Sequence, residues 1–150
     1  MSRMMTRLPP PFWMFILLVL TGAVSYVLQM PANLRIWPLG VALIVVGFVL
    51  AITAALIFRR EGTEIDPRSA TNRLLIVHGP YRFTRNPMYL SLVVFSTGVA
   101  LTVGTWPMFL VPLAIFAITN WGHIPMEEAK MRRQHGVAFD TYTGAVRRWV

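Results

Sequence analysis

The chain has 150 residues, 55% of them hydrophobic and only 13% charged, where a soluble domain carries about 25% charged residues; that balance excludes an ordinary water-soluble fold. The absence of cysteine excludes thiol nucleophiles, disulfides and thiolate metal sites, and the formal charge of +8 has to be placed along the chain before it is read. No Asp, Glu, Lys or Arg interrupts residues 8–34, 36–58 or 86–126. A hydrocarbon core about 30 Å thick takes about 20 apolar residues per helix, so the first two intervals hold one span each. The third, 41 residues long, holds two.

In chain order, Pro9, Pro10 and Pro11 lead into a predicted first helix at 12–29, ended by Pro31 and Asn33. Arg3 and Arg7 ahead of an apolar run are reminiscent of a signal peptide, but the run lacks a small-residue cleavage pattern and further spans follow. Arg35 sits in a short turn, and Pro38 opens a second helix at 38–58, which Arg59, Arg60, Glu61 and Gly62 stop. The polar connection to Pro87 is rich in turn formers (Gly62, Asp66, Pro67, Ser69, Asn72), and its apolar patch from Leu74 to Val77 is expected at the interface or against the bundle. Helices at 88–103 and 106–121 flank a turn of Gly104, Thr105 and Pro107; neither reaches 20 residues, so the pair is either two full crossings or a tilted hairpin. Beyond Pro125, Met131, Ala138, Phe139, Tyr142 and Val146 recur at helical spacing among charges and predict a surface helix at 126–143. Gly136 either costs that helix about 1 kcal/mol or divides it in two. The expected fold is an all-α integral membrane protein, a single domain of four transmembrane helices and a cytoplasmic C-terminal helix.

With an even number of crossings, 13 of the 14 Lys and Arg residues fall on one side, together with all six acidic residues and His78, His123 and His135. The positive-inside bias makes that side, with both termini, cytoplasmic. Basic residues beside spans also meet anionic lipid. They are scattered around span ends with no nucleic-acid reading module, so nucleic acid is not an expected partner. No predicted span carries an interior charge that would couple transport.

The densest chemical signal is His78-Gly79-Pro80-Tyr81-Arg82-Phe83-Thr84-Arg85-Asn86-Pro87-Met88-Tyr89. Gly79 and Pro80 form a turn, and Asn86-Pro87 reads as the cap and first position of the third helix. That helix start with Arg82 and Arg85 suits a carboxylate or phosphate, while Tyr81, Phe83 and Tyr89 add aromatic surface. The same arginines serve equally as grips on lipid phosphates, and the aromatics as an interfacial belt. Glu127 and Glu128 either complement the dipole of the terminal helix or face a cavity and meet a cationic ligand or an arginine of the connection. His123 at the membrane end of the fourth helix is either a proton acceptor or an ordinary interfacial histidine.

At these residues the sequence resembles the membrane-embedded isoprenylcysteine carboxyl methyltransferase and phospholipid methyltransferase family, particularly its short bacterial members. The matching stretches are residues 58–67 (FRREGTEIDP), 75–90 (LIVHGPYRFTRNPMYL) and 127–149 (EEAKMRRQHGVAFDTYTGAVRRW). The resemblance implies methyl transfer from S-adenosylmethionine to a lipid or hydrophobic small-molecule acceptor that enters from the bilayer, in a bacterial inner membrane. His78, Gly79, Pro80 and Tyr81 would line the cofactor site, Arg85, Asn86, Pro87 and Tyr89 would shape its wall, and Glu127 or Glu128 would close it. Arg85, Glu128 and His123 are the candidate catalytic residues, His123 as the base for an ammonium acceptor. Asn86 stands where the eukaryotic prenylcysteine enzymes carry histidine, which moves the expectation away from prenylcysteine. Phe139 replaces the first tyrosine of the family's tail pattern and Tyr142 keeps the second. Displacement at a sulfonium needs positioning more than a metal or a covalent nucleophile, which this residue set can supply. The competing expectations are a non-enzymatic membrane assembly or anionic-lipid-binding module, and a nicotinamide-dependent lipid reductase on a related scaffold.

Overall fold

The structure, a computed structural model, describes residues 8–60 and 75–150. Arg3, Arg7, Leu74, the turn formers of the connection and most of the FRREGTEIDP stretch lie outside the described residues. Regular structure among those described is helical: α1 (Pro10–Val27), α2 (Trp37–Arg60), α3 (Pro87–Val103), α4 (Leu110–Ile118), α5 (Ile124–His135) and α6 (Val137–Ala145), with 3₁₀ turns at Gly79–Arg82 and Trp106–Phe109. Proline opens α1 and α3 because the first N–H groups of a helix have no intrahelical acceptor, so none is lost.

The helices alternate in direction. At one end Leu34 N–H donates to Gly104 O at 3.0 Å and Ile36 N–H to Leu101 O at 2.9 Å, fastening the α1–α2 turn to the α3–α4 turn. Gly104 ends α3 in the left-handed region at φ +82°, and a Cβ there would lie 2.6 Å from the Arg35 backbone. At the other end gather Leu8, the C-terminus of α2, residues 75–86 and the whole chain after Thr119. Every described Lys and Arg except Arg35 lies at that second end.

Three helical stretches are long and apolar enough to cross a membrane: Pro10–Val27, Trp37–Arg60 and the continuous run Trp106–His135. The protein is an integral membrane protein, and the side chains that α1 and α2 leave uncovered, such as Phe15 (66% exposed) and Phe48 (58%), are its lipid-facing surface. With 17 residues, α3 reaches about 26 Å. The 30-residue run Trp106–His135 reaches about 45 Å, so about ten residues must project beyond a hydrocarbon core of about 30 Å. The projecting end is the polar one, past Pro125, so Glu127 and Glu128 stand outside the hydrocarbon.

Sequence punctuation at 121–126 predicts a break between a fourth span and a surface helix. The structure runs through it instead, by a π turn at Thr119–His123, and places the break at Gly136 (φ +50°), which separates α5 from α6. Pro125 is tolerated because it falls in the first turn of α5, directly after the wide turn, where the regular i to i−4 ladder is already interrupted.

Lipid supplies no hydrophobic drive between helices, so close backbone packing has to hold α2 against α3. Small residues permit it: a Cβ at Gly47 would lie 2.8 Å from Phe95 N and 2.9 Å from Ser91 O, and one at Gly98 would lie 2.6 Å from Gly40 O. On the far side of α3, Ser25 and Thr105 share a hydroxyl hydrogen bond of 2.8 Å that fixes α1 to the 3₁₀ turn before α4. Gly47→Leu is expected to lower stability by about 1–3 kcal/mol through forced separation of α2 and α3, read as a reduced thermal midpoint in detergent. Gly22→Ala, at a position inside α1 with open space around it, should hold or slightly raise that midpoint, since alanine is the better helix former.

Candidate active site at the charged end of the bundle

Chain entering at Leu75 buries Ile76 against Ala54 and Tyr81, with Ile57, Phe58 and Met88 packed around them. The next turn depends on Gly79, whose φ of +62° disfavours any side chain; a Cβ there would also press the tip of Ile57 at 2.6 Å, which would have to move aside. Pro80 then sets the 3₁₀ turn, and its carbonyl accepts from the N–H groups of Phe83 (3.1 Å) and Thr84 (3.2 Å). Tyr81 faces inward, edge-on to Phe58 with ring centroids 5.6 Å apart, while Arg82 and Phe83 face outward.

Successive residues of a helix point about 100° apart, which sends the two carboxylates of α5 to different neighbours. Glu127 turns to α3, where the buried Tyr89 hydroxyl donates a hydrogen bond to Oε1. Burial pushes the Glu127 carboxyl up to about 7; the Tyr89 hydrogen bond and Lys130 oppose the rise, and the Glu128 charge adds to it. Glu128 turns to the connection and the tail. Its Oε1 lies 3.1 Å from Arg85 Nη2, and Arg148 holds both oxygens, Nε to Oε1 at 3.1 Å and Nη2 to Oε2 at 2.6 Å. The other terminal nitrogen of Arg85, Nη1, donates to Thr143 O at 3.3 Å. Arg85 Nε is buried and has no hydrogen-bond partner among the described residues.

The last residues of the chain close this end. Arg147 O accepts from Arg85 N–H at 3.0 Å, and Arg148 O accepts from Thr84 Oγ1 at 3.1 Å and Asn86 Nδ2 at 3.0 Å. Trp149 donates Nε1–H to Asn120 Oδ1 at 3.0 Å and stacks on Phe116 with centroids 4.8 Å apart. Tyr142 donates its hydroxyl to Tyr81 O at 2.7 Å. Burial raises the Tyr81 phenol well above its ordinary range, with help from Tyr142 and Glu127, and raises that of Tyr142 to about 12 against the pull of Arg85. Both remain hydrogen-bond donors at neutral pH.

Of the residues singled out in the sequence, Gly79, Pro80, Tyr81, Arg85, Asn86, Pro87, Tyr89, Glu127 and Glu128 meet at this end. His78 is exposed where the 3₁₀ turn begins. Asn86 occupies the cap position of α3 but its side chain caps nothing; the tail carbonyl it serves is the stronger attraction. His123 is buried in the π turn, its ring 6.2 Å from Tyr89, with Nδ1 3.4 Å from Ile118 O and Nε2 3.4 Å from Leu8 O. Both ring nitrogens therefore face carbonyl oxygens. Sequence reasoning gave no role to Arg148, Asn120, Thr84 or Trp149; the signals were that Thr84 lies within the densest stretch and that the family-like stretch at 127–149 ends on Arg148 and Trp149.

An apolar helical bundle with its charged side chains gathered at one end is an integral membrane protein, and comparison with known families supplies its class. A family model described as phospholipid methyltransferase matches residues 35–138, and the chain belongs to that family. Comparison with curated proteins and with solved structures gave no significant match.

Because the folded-state pKa of Glu127 is raised, the native protein holds a proton there that the unfolded chain releases near pH 4.5. Its contribution to stability is complete below that pH and is lost as pH rises through about 7. Glu127→Gln should flatten the fall of the thermal midpoint between those values; an unchanged pH slope would show that the carboxyl is not held protonated.

Proposed function

We propose that this protein transfers a methyl group from S-adenosylmethionine to a lipid or another membrane-partitioned acceptor at the cytoplasmic face. The observation that carries the reading is the meeting of residues 79–89 with Glu127 and Glu128 outside the hydrocarbon, where opposite charges stand beside aromatic faces. A zwitterionic methyl donor fits that donor set. Arg85, with Nε buried and unpartnered among the described residues, is the group for its carboxylate, and Glu127 is the group for its ammonium. Tyr81 and Tyr89 offer aromatic faces to a sulfonium. S-adenosylmethionine supplies an already activated methyl group, and the chain's own task is to hold donor and acceptor in line.

The acceptor is a hydrophobic molecule that reaches the site from the bilayer, in keeping with a site at the end of a lipid-embedded bundle. Since His123 has carbonyl oxygens against both nitrogens, its role here is to secure the π turn and the entry of α1, and an acceptor that needs no base at this position is favoured. All four apolar helices cross the membrane in this reading, α3 by virtue of lying against α2 from Gly40 and Gly98 at one end to Ala54 and Met88 at the other. Both termini are then cytoplasmic, in agreement with the distribution of Lys and Arg.

Titration calorimetry in lipid nanodiscs should show binding of S-adenosylhomocysteine, weakened about tenfold to a hundredfold by Glu127→Ala or Arg85→Met, the loss expected for one charge-assisted hydrogen bond. Absence of binding to the folded wild type would overturn the reading. The cysteine-free sequence makes topology directly testable: single cysteines at positions 82 and 133 should label from the cytoplasmic side, and one at 106 from the opposite side.

A further inference from the structure

Two guanidinium groups converge on the single carboxylate of Glu128. Arg148 takes the larger share, engaging both oxygens from its Nε and Nη2, while Arg85 reaches only Oε1, through one Nη. Remove the Arg148 side chain and only the long 3.3 Å bond from Arg85 Nη1 to Thr143 O stands against full pairing of Glu128 with Arg85. A free fork of donors next to a carboxylate forms two parallel bonds by preference. The second guanidinium therefore decides how much of the first is left over.

We propose that Arg148 is a positioning residue for donor recognition: by occupying Glu128 it keeps Arg85 from being neutralised, so that Arg85 retains charge and a donor for the carboxylate of the bound ligand. The inference rests on the methyl-donor reading above and adds to it the source of the site's carboxylate specificity. The tail is built for this placement. Its backbone is pinned by the Arg147 and Arg148 carbonyls, which accept from Arg85 N–H, Thr84 Oγ1 and Asn86 Nδ2, and its far end by Trp149 on Asn120 and Phe116. The Arg148 side chain touches this anchoring only through Nη1, 3.5 Å from Asn120 Oδ1, so a substitution there tests the charge competition while the backbone pins and the Trp149 bond stay in place.

The test compares the affinities of S-adenosylhomocysteine and of its decarboxylated analogue for the full chain in nanodiscs, in the wild type, Arg148→Gln, Arg148→Lys and Glu128→Gln/Arg148→Gln. The wild type is expected to prefer the carboxylate-bearing ligand by about tenfold or more. Arg148→Gln should lose most of that preference while binding the decarboxylated analogue as the wild type does. Arg148→Lys should recover it in part, because an ammonium competes for Glu128 as a point charge without the fork. In the double variant, with no carboxylate left to capture Arg85, the preference should return. A preference unchanged in Arg148→Gln, or equal loss of affinity for both ligands, would overturn the positioning role and leave the methyl-donor reading standing. A wild type that binds neither ligand would overturn both.

Discussion

Glu127 and Glu128 are neighbours in the chain yet meet their surroundings in opposite ways, and the charged end of the molecule is arranged around that difference. One carboxyl is carried into the packing between α3 and α5 and holds its proton to about pH 7 against Tyr89. The other is met by two arginines that come from segments 63 residues apart, Arg85 and Arg148. A buried charge that is left unmatched costs several kcal/mol, so the connection, the first turn of α3 and the tail have to arrive together. The strap of residues 146–150 satisfies this requirement with backbone carbonyls as well as with the Arg148 guanidinium.

The direction in which the two carboxylates point is fixed further down the same helix. A π turn adds a residue to one turn and rotates the downstream residues relative to a regular α-helix. Here the wide turn at Thr119–His123 lies between the lipid-embedded α4 and the projecting α5, and it sets which face of α5 meets Tyr89 and which meets the tail. It also places Asn120 where Trp149 can reach it and His123 where it faces Leu8. One local distortion thus connects α1, the tail and the paired glutamates.

Much of this was legible in the sequence, for physical reasons that differ from element to element. Intervals free of charge had to be apolar helices, because a lipid-exposed backbone must satisfy itself. Gly79 and Pro80 had to be a turn, and Gly136 offered a break that the chain takes. The continuity of α4 with α5 was hidden: Pro125 and the onset of polar residues look like a boundary, and a π turn has no local signature. The side chain of Asn86 looks like a cap for a similar reason, since its true partner is a carbonyl 62 residues away. Arg148 reads as a topological charge, correct as far as that goes, because nothing in its neighbourhood announces a partner at position 128. Phe139 and Tyr142 carry the helical periodicity and are buried, whereas Ala138 belongs to the same pattern and is exposed, because Gly136 resets the phase between α5 and α6.

In the proposed reading, charge at this end also restricts what the site takes. Below about pH 7, with Glu127 protonated, Arg85, Arg148 and Glu128 together leave one positive charge unanswered, beside the buried, unpartnered Nε of Arg85. A simple anion would answer that charge and leave Glu127 neutral in its burial. A simple cation would ionise Glu127 and leave the guanidinium unmatched. A ligand carrying both a carboxylate and an ammonium satisfies both positions at once, the ammonium displacing a proton from Glu127 as it binds. The family match at residues 35–138 stops before Tyr142, Arg148 and Trp149, so within the proposed reading the part of the balance that leaves Arg85 available is set by a tail outside the matched region.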